Sequence, residues 1–158
     1  MNSKRYFLHN KKWLQLILAL VLLISLLAGC GAKEGTLQDG YFTAEMSDYS
    51  HGWKEFVTIY VKDQEIVSVE YNAKNASGFI KSWDMAYMRQ MNAIQHTYPN
   101  RYTRQYGKQV LEKQSAEGVD AVSGASTSGV SFQQLVQAAI DMSKSAKNEV
   151  AIVPAKKE

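Results

Sequence analysis

The sequence predicts an α+β domain: an antiparallel sheet of three or more strands packed with about three helices. Between Tyr41 and Tyr71 the chain runs in short alternating stretches broken by turn residues, which is the period of strands. From Ile80 to Met142 apolar residues recur at three- and four-residue steps, which is the period of helices. A charged and then apolar leader ahead of Cys30 places this domain behind a secretion signal. The chain of 158 residues has room for one such domain.

Lys4, Arg5, Lys11 and Lys12 precede an apolar run from Trp13 to Leu27 that only Gln15 and Ser25 interrupt. It falls short of the roughly 20 residues of a comfortable membrane span. Leu27-Ala28-Gly29-Cys30 resembles a bacterial lipobox, which implies cleavage before Cys30, lipid on Cys30, and a domain held on the extracytoplasmic face of the cell membrane. An uncleaved amino-terminal anchor helix is the alternative, with the same topology. The expected organisation is a lipoprotein signal peptide over 1–29, a lipidated cysteine and flexible tether over 30–38, the folded domain over 39–146 and a loosely held tail over 147–158. Cys30 is the only cysteine, so the domain has no internal disulfide. Of the 18 Lys and Arg, four precede Cys30; the remaining 14 face 15 Asp and Glu, a net charge of −1 that argues against nucleic acid as a partner.

Tyr41 to Met46 has strand composition, and Ser47 to Gly52 has turn composition. Glu55 to Lys62 alternates Phe56, Thr58, Tyr60 with Val57, Ile59, Val61, so both faces of this strand are expected to be covered. Asp63-Gln64 then joins it to Glu65–Tyr71 as a hairpin, although the pair lacks the glycine that tight turns prefer. A loop is expected over 72–78. Ile80, Trp83, Tyr87, Met91 and Ile94 form a helical stripe, with Ser82 placed to cap it, and a Met and aromatic stripe at that spacing reads as core. Tyr98-Pro99 breaks the helix. Asn100 to Gln114 is a second helix with Tyr102, Tyr106 and Val110 on one side and Gly107 weakening its middle. Its interleaved Arg101, Arg104 and Lys108 read as a solvated face with the tyrosines half-buried. Val119 to Val122 is a candidate short strand, and Phe132, Leu135, Val136, Ala139 and Ile140 fit the template of a last amphipathic helix.

The densest chemical signal lies just before that helix, in Asp120-Ala121-Val122-Ser123-Gly124-Ala125-Ser126-Thr127-Ser128-Gly129. Two glycines leave the backbone open to close approach, and Ser123, Ser126, Thr127 and Ser128 supply hydroxyls. Because the run opens a helix, backbone N–H groups and the positive helix end converge there, which suits a phosphate. His51 and His96 lack partners at metal-ligand spacing, so no metal site is expected. A hydrolase would need a base beside Ser128, and neither histidine is near it in sequence.

The order of these residues resembles the flavinylation motif of the FMN-binding domain family, Asp-x-x-Ser-Gly-Ala-Thr/Ser-x-Thr/Ser. Asp120, Ser123, Gly124, Ala125 and Ser126 match it, and Ser128 falls on the acceptor position; serine stands at 126 and 128 where threonine is usual. The resemblance covers roughly residues 39–146. It implies one FMN carried on Ser128 through a phosphoester made by a separate FMN transferase, a non-catalytic electron carrier, and redox partners in or near the membrane. The residues alone also suit a surface lipoprotein that holds a phosphate-bearing ligand reversibly in the same loop, without redox work.

Overall fold

The computed structural model describes residues 35–155; the leader and Cys30 lie outside them. Among the described residues the sheet has four strands, β1 (Gly40–Met46), β2 (Lys54–Lys62), β3 (Glu65–Lys74) and β4 (Ala151–Val153), in the order β3-β2-β1-β4. The first three pair antiparallel, as predicted, and β4 adds a parallel edge beside β1. Three helices follow β3: α1 (Met85–Gln95), α2 (Pro99–Lys113) and α3 (Ser126–Lys144). The architecture is therefore α+β.

Alternation in β1 and β2 decides which face is buried. Phe42, Ala44, Val57, Ile59 and Val61 point to the side where α2 and α3 lie, and each is at most 2 % exposed. Against them pack Tyr102, Tyr106 and Val110 of α2 and Phe132, Leu135, Val136, Ala139 and Ile140 of α3, the residues the helical periodicity singles out. Each large buried side chain contributes roughly 1.5–3 kcal/mol through removal from water. The opposite face carries no helix. Its cover comes from cross-strand neighbours: Tyr41 and Tyr60 stack with centroids 4.4 Å apart, and the Thr43 and Thr58 hydroxyls lie at 2.8 Å. The expectation that both faces of β2 are covered thus holds for one face only.

Several boundaries differ from expectation for local reasons. The hairpin turn forms without glycine because Asp63 and Gln64 both adopt positive φ, 53° and 65°, which a two-residue turn of matching twist requires. Beyond Tyr71, β3 continues to Lys74, because the Asn72 side chain is buried and satisfied: its amide donates to Ser82 Oγ at 2.8 Å. Ser82 is therefore spent inside a 3₁₀ turn, Lys81–Trp83, and does not cap α1. Asp84 does, accepting from the N–H groups of Ala86 and Tyr87 at 3.1 and 2.9 Å.

The 147–158 segment is not a loose tail throughout. Ala151, Ile152 and Val153 pair with Ala44, Glu45 and Met46, and Ser47 N–H donates to Val153 O at 2.8 Å. Val119–Val122 in turn forms no strand. Side chains hold it instead: Gln109 takes both the N–H and the carbonyl of Asp120, at 2.7 and 3.1 Å, and Gln133 donates to Val119 O at 2.9 Å. Gly107 serves α2 by its smallness, since a Cβ there would come within 3.3 Å of Val69 O where α2 rests on β3.

Candidate functional site

The hydroxyl-rich loop is shaped by two glycines and one tyrosine. Ala125 N–H donates to Val122 O at 2.9 Å, closing a turn whose third residue, Gly124, has φ +76° as a type II turn demands. A Cβ on Gly124 would overlap Gln95 O, so this turn sits directly on the carboxyl end of α1. From the core, Tyr106 Oη accepts from Val122 N–H and donates to Ala125 O, both at 2.9 Å. The two ends of the turn are thereby fixed to one buried phenol.

Ala125 is the N-cap of α3 and has no side-chain hydrogen bond to offer the helix. The first helical bond runs from Gly129 N–H to Ala125 O at 3.1 Å, so the N–H groups of Ser126, Thr127 and Ser128 precede the helical ladder. Ser128 thus lies inside the first turn of α3, half-buried, beside the positive end of the helix dipole.

These residues floor a cleft of about 680 Å³, within the range of small-molecule sites. Gly124 to Ser128 and Ser131 form its floor, Trp53 and Glu55 of the sheet one wall, and Lys81, Tyr87, Met91, Gln95 and Tyr102 the rest. A second recess of about 550 Å³ shares Ser50, Trp53, Glu55, Ser126, Thr127 and Ser131 with the first and runs on to Met46, Val130 and Gln134. Lys81 brings a cation to the main cleft, with Nζ 4.9 Å from the ring centre of Tyr87 and 5.8 Å from that of Trp53.

Behind Ser128 the polar groups are buried. Tyr71 Oη donates to Glu55 Oε1 at 2.8 Å and lies 2.9 Å from Ser128 O. Burial, and after it the negative charge of Glu55, pushes the Tyr71 phenol well above its ordinary value. Burial likewise raises Tyr102, while the Ser128 side chain pulls both phenols the other way. Both tyrosines are therefore neutral hydrogen-bonding groups across the physiological range.

Of the residues the motif singles out, Gly124, Ala125, Ser126, Thr127 and Ser128 come together in the cleft. Asp120 and Ser123 do not line it: both are exposed on the outside of the loop, with the Asp120 carboxylate 3.4 Å from Lys113 Nζ. His51, distant from Ser128 in sequence, lines the same cleft, with Nδ1 3.0 Å from Ser50 Oγ. His96 ends α1 in the left-handed region, φ 55°. Among the described residues no group of three or more His, Cys, Asp or Glu is arranged to hold a metal.

The reading of the α1 stripe as core is corrected here. Only Met88 is buried on that helix; Trp83 and Ile94 are 66 % and 65 % exposed, and Tyr87 and Met91 face the cleft. The tyrosines of α2, expected to be half-buried, are buried completely. Sequence reasoning passed over Trp53, Glu55, Tyr71, Lys81 and Tyr102 as site residues because they are scattered through four elements. The period of Tyr87 and Met91 was the one visible signal.

Hydroxyls and free N–H groups at one end of a cleft, and aromatic rings, a thioether and a cation at the other, define a binder of a phosphate-bearing aromatic cofactor. The profile of the FMN-binding domain family matches residues 51–141, a span that includes β2, β3 and the whole cleft floor. A 15 kDa lipoprotein of Treponema pallidum (strain Nichols) is 31 % identical over 128 residues, covering 80 % of this chain and 89 % of that protein. The crystal structure of the CPE2226 protein from Clostridium perfringens superposes with a TM-score of 0.72 at 30 % identity, over 76 % of this chain and 99 % of the other. The chain belongs to the FMN-binding domain family, and its cofactor is FMN. The residues fit that group: Ser126, Thr127 and Ser128 with their N–H groups suit its phosphate, and Trp53, Tyr87, Tyr102 and Met91 suit its ring system.

Proposed function

We propose that the protein is a lipid-anchored electron carrier of the extracytoplasmic membrane face, bearing one FMN as a phosphoester of Ser128. The observation that carries the covalent reading is the placement of Ser128: its residue lines the cleft from the first turn of α3, beside N–H groups that no helical carbonyl takes. Those N–H groups bind the phosphate oxygens and the helix dipole favours their charge. Lys81 offsets the same charge from the opposite wall. Trp53, Tyr87 and Met91 flank a planar ring and limit its contact with water, which defines a potential. FMN supplies the electron chemistry when bound; the chain's residues bind it, orient it and shield it.

Asp120 and Ser123, exposed beside the cleft, are the part of the motif a transferase can grip from outside. Anchoring through Cys30 rests on the lipobox-like Leu27-Ala28-Gly29-Cys30 and on the lipoprotein name of the Treponema relative. A covalent bond suits an exported carrier, since a reversibly bound cofactor would be diluted away outside the cell.

The test is mass spectrometry of the chain co-produced with an FMN transferase. The expected product carries one FMN on the peptide containing Ser128, and Ser128→Ala carries none. An unmodified Ser128 peptide from a transferase-positive cell overturns the covalent reading. Stepwise reduction and reoxidation of the loaded protein, followed by flavin absorbance, tests the carrier role: a flavin that chemical reductants cannot reach removes it.

A further inference from the structure

Glu55 has no part in holding the cofactor as described, yet it is placed with care. Its carboxylate reaches the cleft from β2 and accepts the 2.8 Å hydrogen bond of Tyr71 Oη, whose residue is 3 % exposed. The same phenol oxygen is 2.9 Å from Ser128 O. Within a helix that carbonyl already receives an N–H from the next turn, so the phenol proton goes to the carboxylate, the stronger acceptor. Tyr71 Oη is left with lone-pair capacity on the side where Ser128 lies. Tyr102, from α2, closes the cluster on another side, and the Ser128 side chain acts on the acidity of both phenols. A hydroxyl backed by an oriented group that is itself held by a carboxylate is the arrangement that activates weak nucleophiles.

We propose that Glu55, acting through Tyr71, is a positioning residue for Ser128: the pair orients the serine hydroxyl and takes up its proton when that oxygen is esterified. This rests on the covalent reading above. In the step, Ser128 Oγ forms a bond to the flavin-bearing phosphorus of a dinucleotide donor, the phosphoanhydride bond at that phosphorus breaks, and the nucleoside monophosphate leaves. The serine proton passes to Tyr71 Oη as the Tyr71 proton passes to Glu55, and from there to solvent. No oxidation state changes. The transferase supplies the donor and the metal or charge it needs; the acceptor domain supplies a serine already aligned. The other titratable groups lining the cleft around Glu55 are Tyr102 of α2, Tyr87 of α1, Lys81 of the 3₁₀ turn and His51 of the β1–β2 loop.

The experiment follows FMN incorporation into purified unmodified chain by intact mass, with a flavin dinucleotide and an FMN transferase, across pH. For Glu55→Gln we expect the maximal rate at saturating acceptor to fall roughly 10²-fold, the size of a general-base contribution, with the KM for the chain unchanged. The acid limb of the wild-type pH–rate profile should disappear in the same variant, and Glu55→Asp should recover part of the rate. Tyr71→Phe keeps the ring packing and should show the same loss, which guards against a Glu55→Gln chain that folds poorly. Wild-type incorporation by either folded variant overturns the inference while leaving the covalent reading intact. A wild-type chain that takes up no FMN overturns both.

Discussion

The phenol oxygen of Tyr106 occupies the space a side chain at position 129 would need: a Cβ built on Gly129 would overlap Tyr106 Oη and lie 3.0 Å from its Cζ. That phenol holds Val122 N–H and Ala125 O, so the glycine of α3 lets a core tyrosine reach through and fasten the loop. In an open helix, Gly→Ala stabilises by roughly 1 kcal/mol. Here the sign should reverse. Gly129→Ala must displace Tyr106 and leave both loop groups unpaired, and we expect it to cost about 2–4 kcal/mol in urea unfolding. Tyr106→Phe should cost less, about 1–3 kcal/mol, since the ring still fills the core. A Gly129→Ala protein as stable as wild type would show that the clamp is not under steric constraint.

Much of this fold is legible in the chain because strand and helix periods declare themselves. The runs around Phe42, Ile59 and Val69 and the stripe Phe132, Leu135, Val136, Ala139 fall where they are expected. The motif loop is legible too, since it is contiguous. What escapes is decided at a distance. The end of β3 is set by Asn72 meeting Ser82, and β4 forms because an edge of β1 is free, neither of which has a local signature. Tyr87 and Met91 carry the spacing of a core face, but only the tertiary structure reveals that this face looks onto a cleft rather than onto the sheet. Glu55 and Tyr71 sit in ordinary strand alternation, so nothing local sets them apart.

On the uncovered sheet face Glu45 bridges two lysines, Lys54 and Lys74, each at 2.8 Å. Hydrogen bonds from Lys54, then Lys74, hold the Glu45 carboxyl below its ordinary 4.5. A lowered carboxyl value means the stabilisation is present above 4.5 and is lost as pH falls through the folded value. Glu45 in turn raises Lys54 above 10.5, so that contribution is complete below 10.5 and is lost as pH rises through the folded value. Glu45→Gln should therefore cost about 1 kcal/mol at neutral pH, discounted for the partial exposure of Lys74. The gap between variant and wild type should close as pH drops through and below the carboxylate range. Thermal melts across that range check it; a gap constant with pH would contradict the assignment.

Gln114 completes an edge. Its Oε1 accepts from Ile66 N–H at 2.7 Å and its Nε2 donates to Ile66 O at 3.0 Å, so one side-chain amide pairs with a strand residue as a neighbouring strand would. This covers one end of β3, an edge strand that would otherwise present unpaired groups to other chains. Gln114→Leu removes both bonds and should cost about 1–3 kcal/mol. It should also raise the tendency to self-associate at high concentration, which light scattering measures. Unchanged stability would mean that water replaces the amide without loss.

Trp53 and Trp83 offer a direct reading of where the flavin ring lies. Trp53 lines the cleft in edge contact with Tyr87, centroids 6.2 Å apart, under the charge of Lys81. Trp83 is 66 % exposed and in contact with Phe79, with no place in the cleft lining. A flavin in this cleft stacks on or beside Trp53, and such aromatic contact quenches the emission of both partners. Loading with FMN should therefore quench Trp53 strongly and Trp83 weakly, a split that Trp83→Phe and Trp53→Phe proteins resolve one tryptophan at a time. Trp53→Ala should brighten the flavin and weaken its non-covalent retention in the Ser128→Ala background by about 0.5–1.5 kcal/mol, several-fold in Kd. Equal quenching of the two tryptophans, or a flavin as dim without Trp53 as with it, would move the ring out of this cleft and into the neighbouring recess beside Met46 and Val130 or onto the surface.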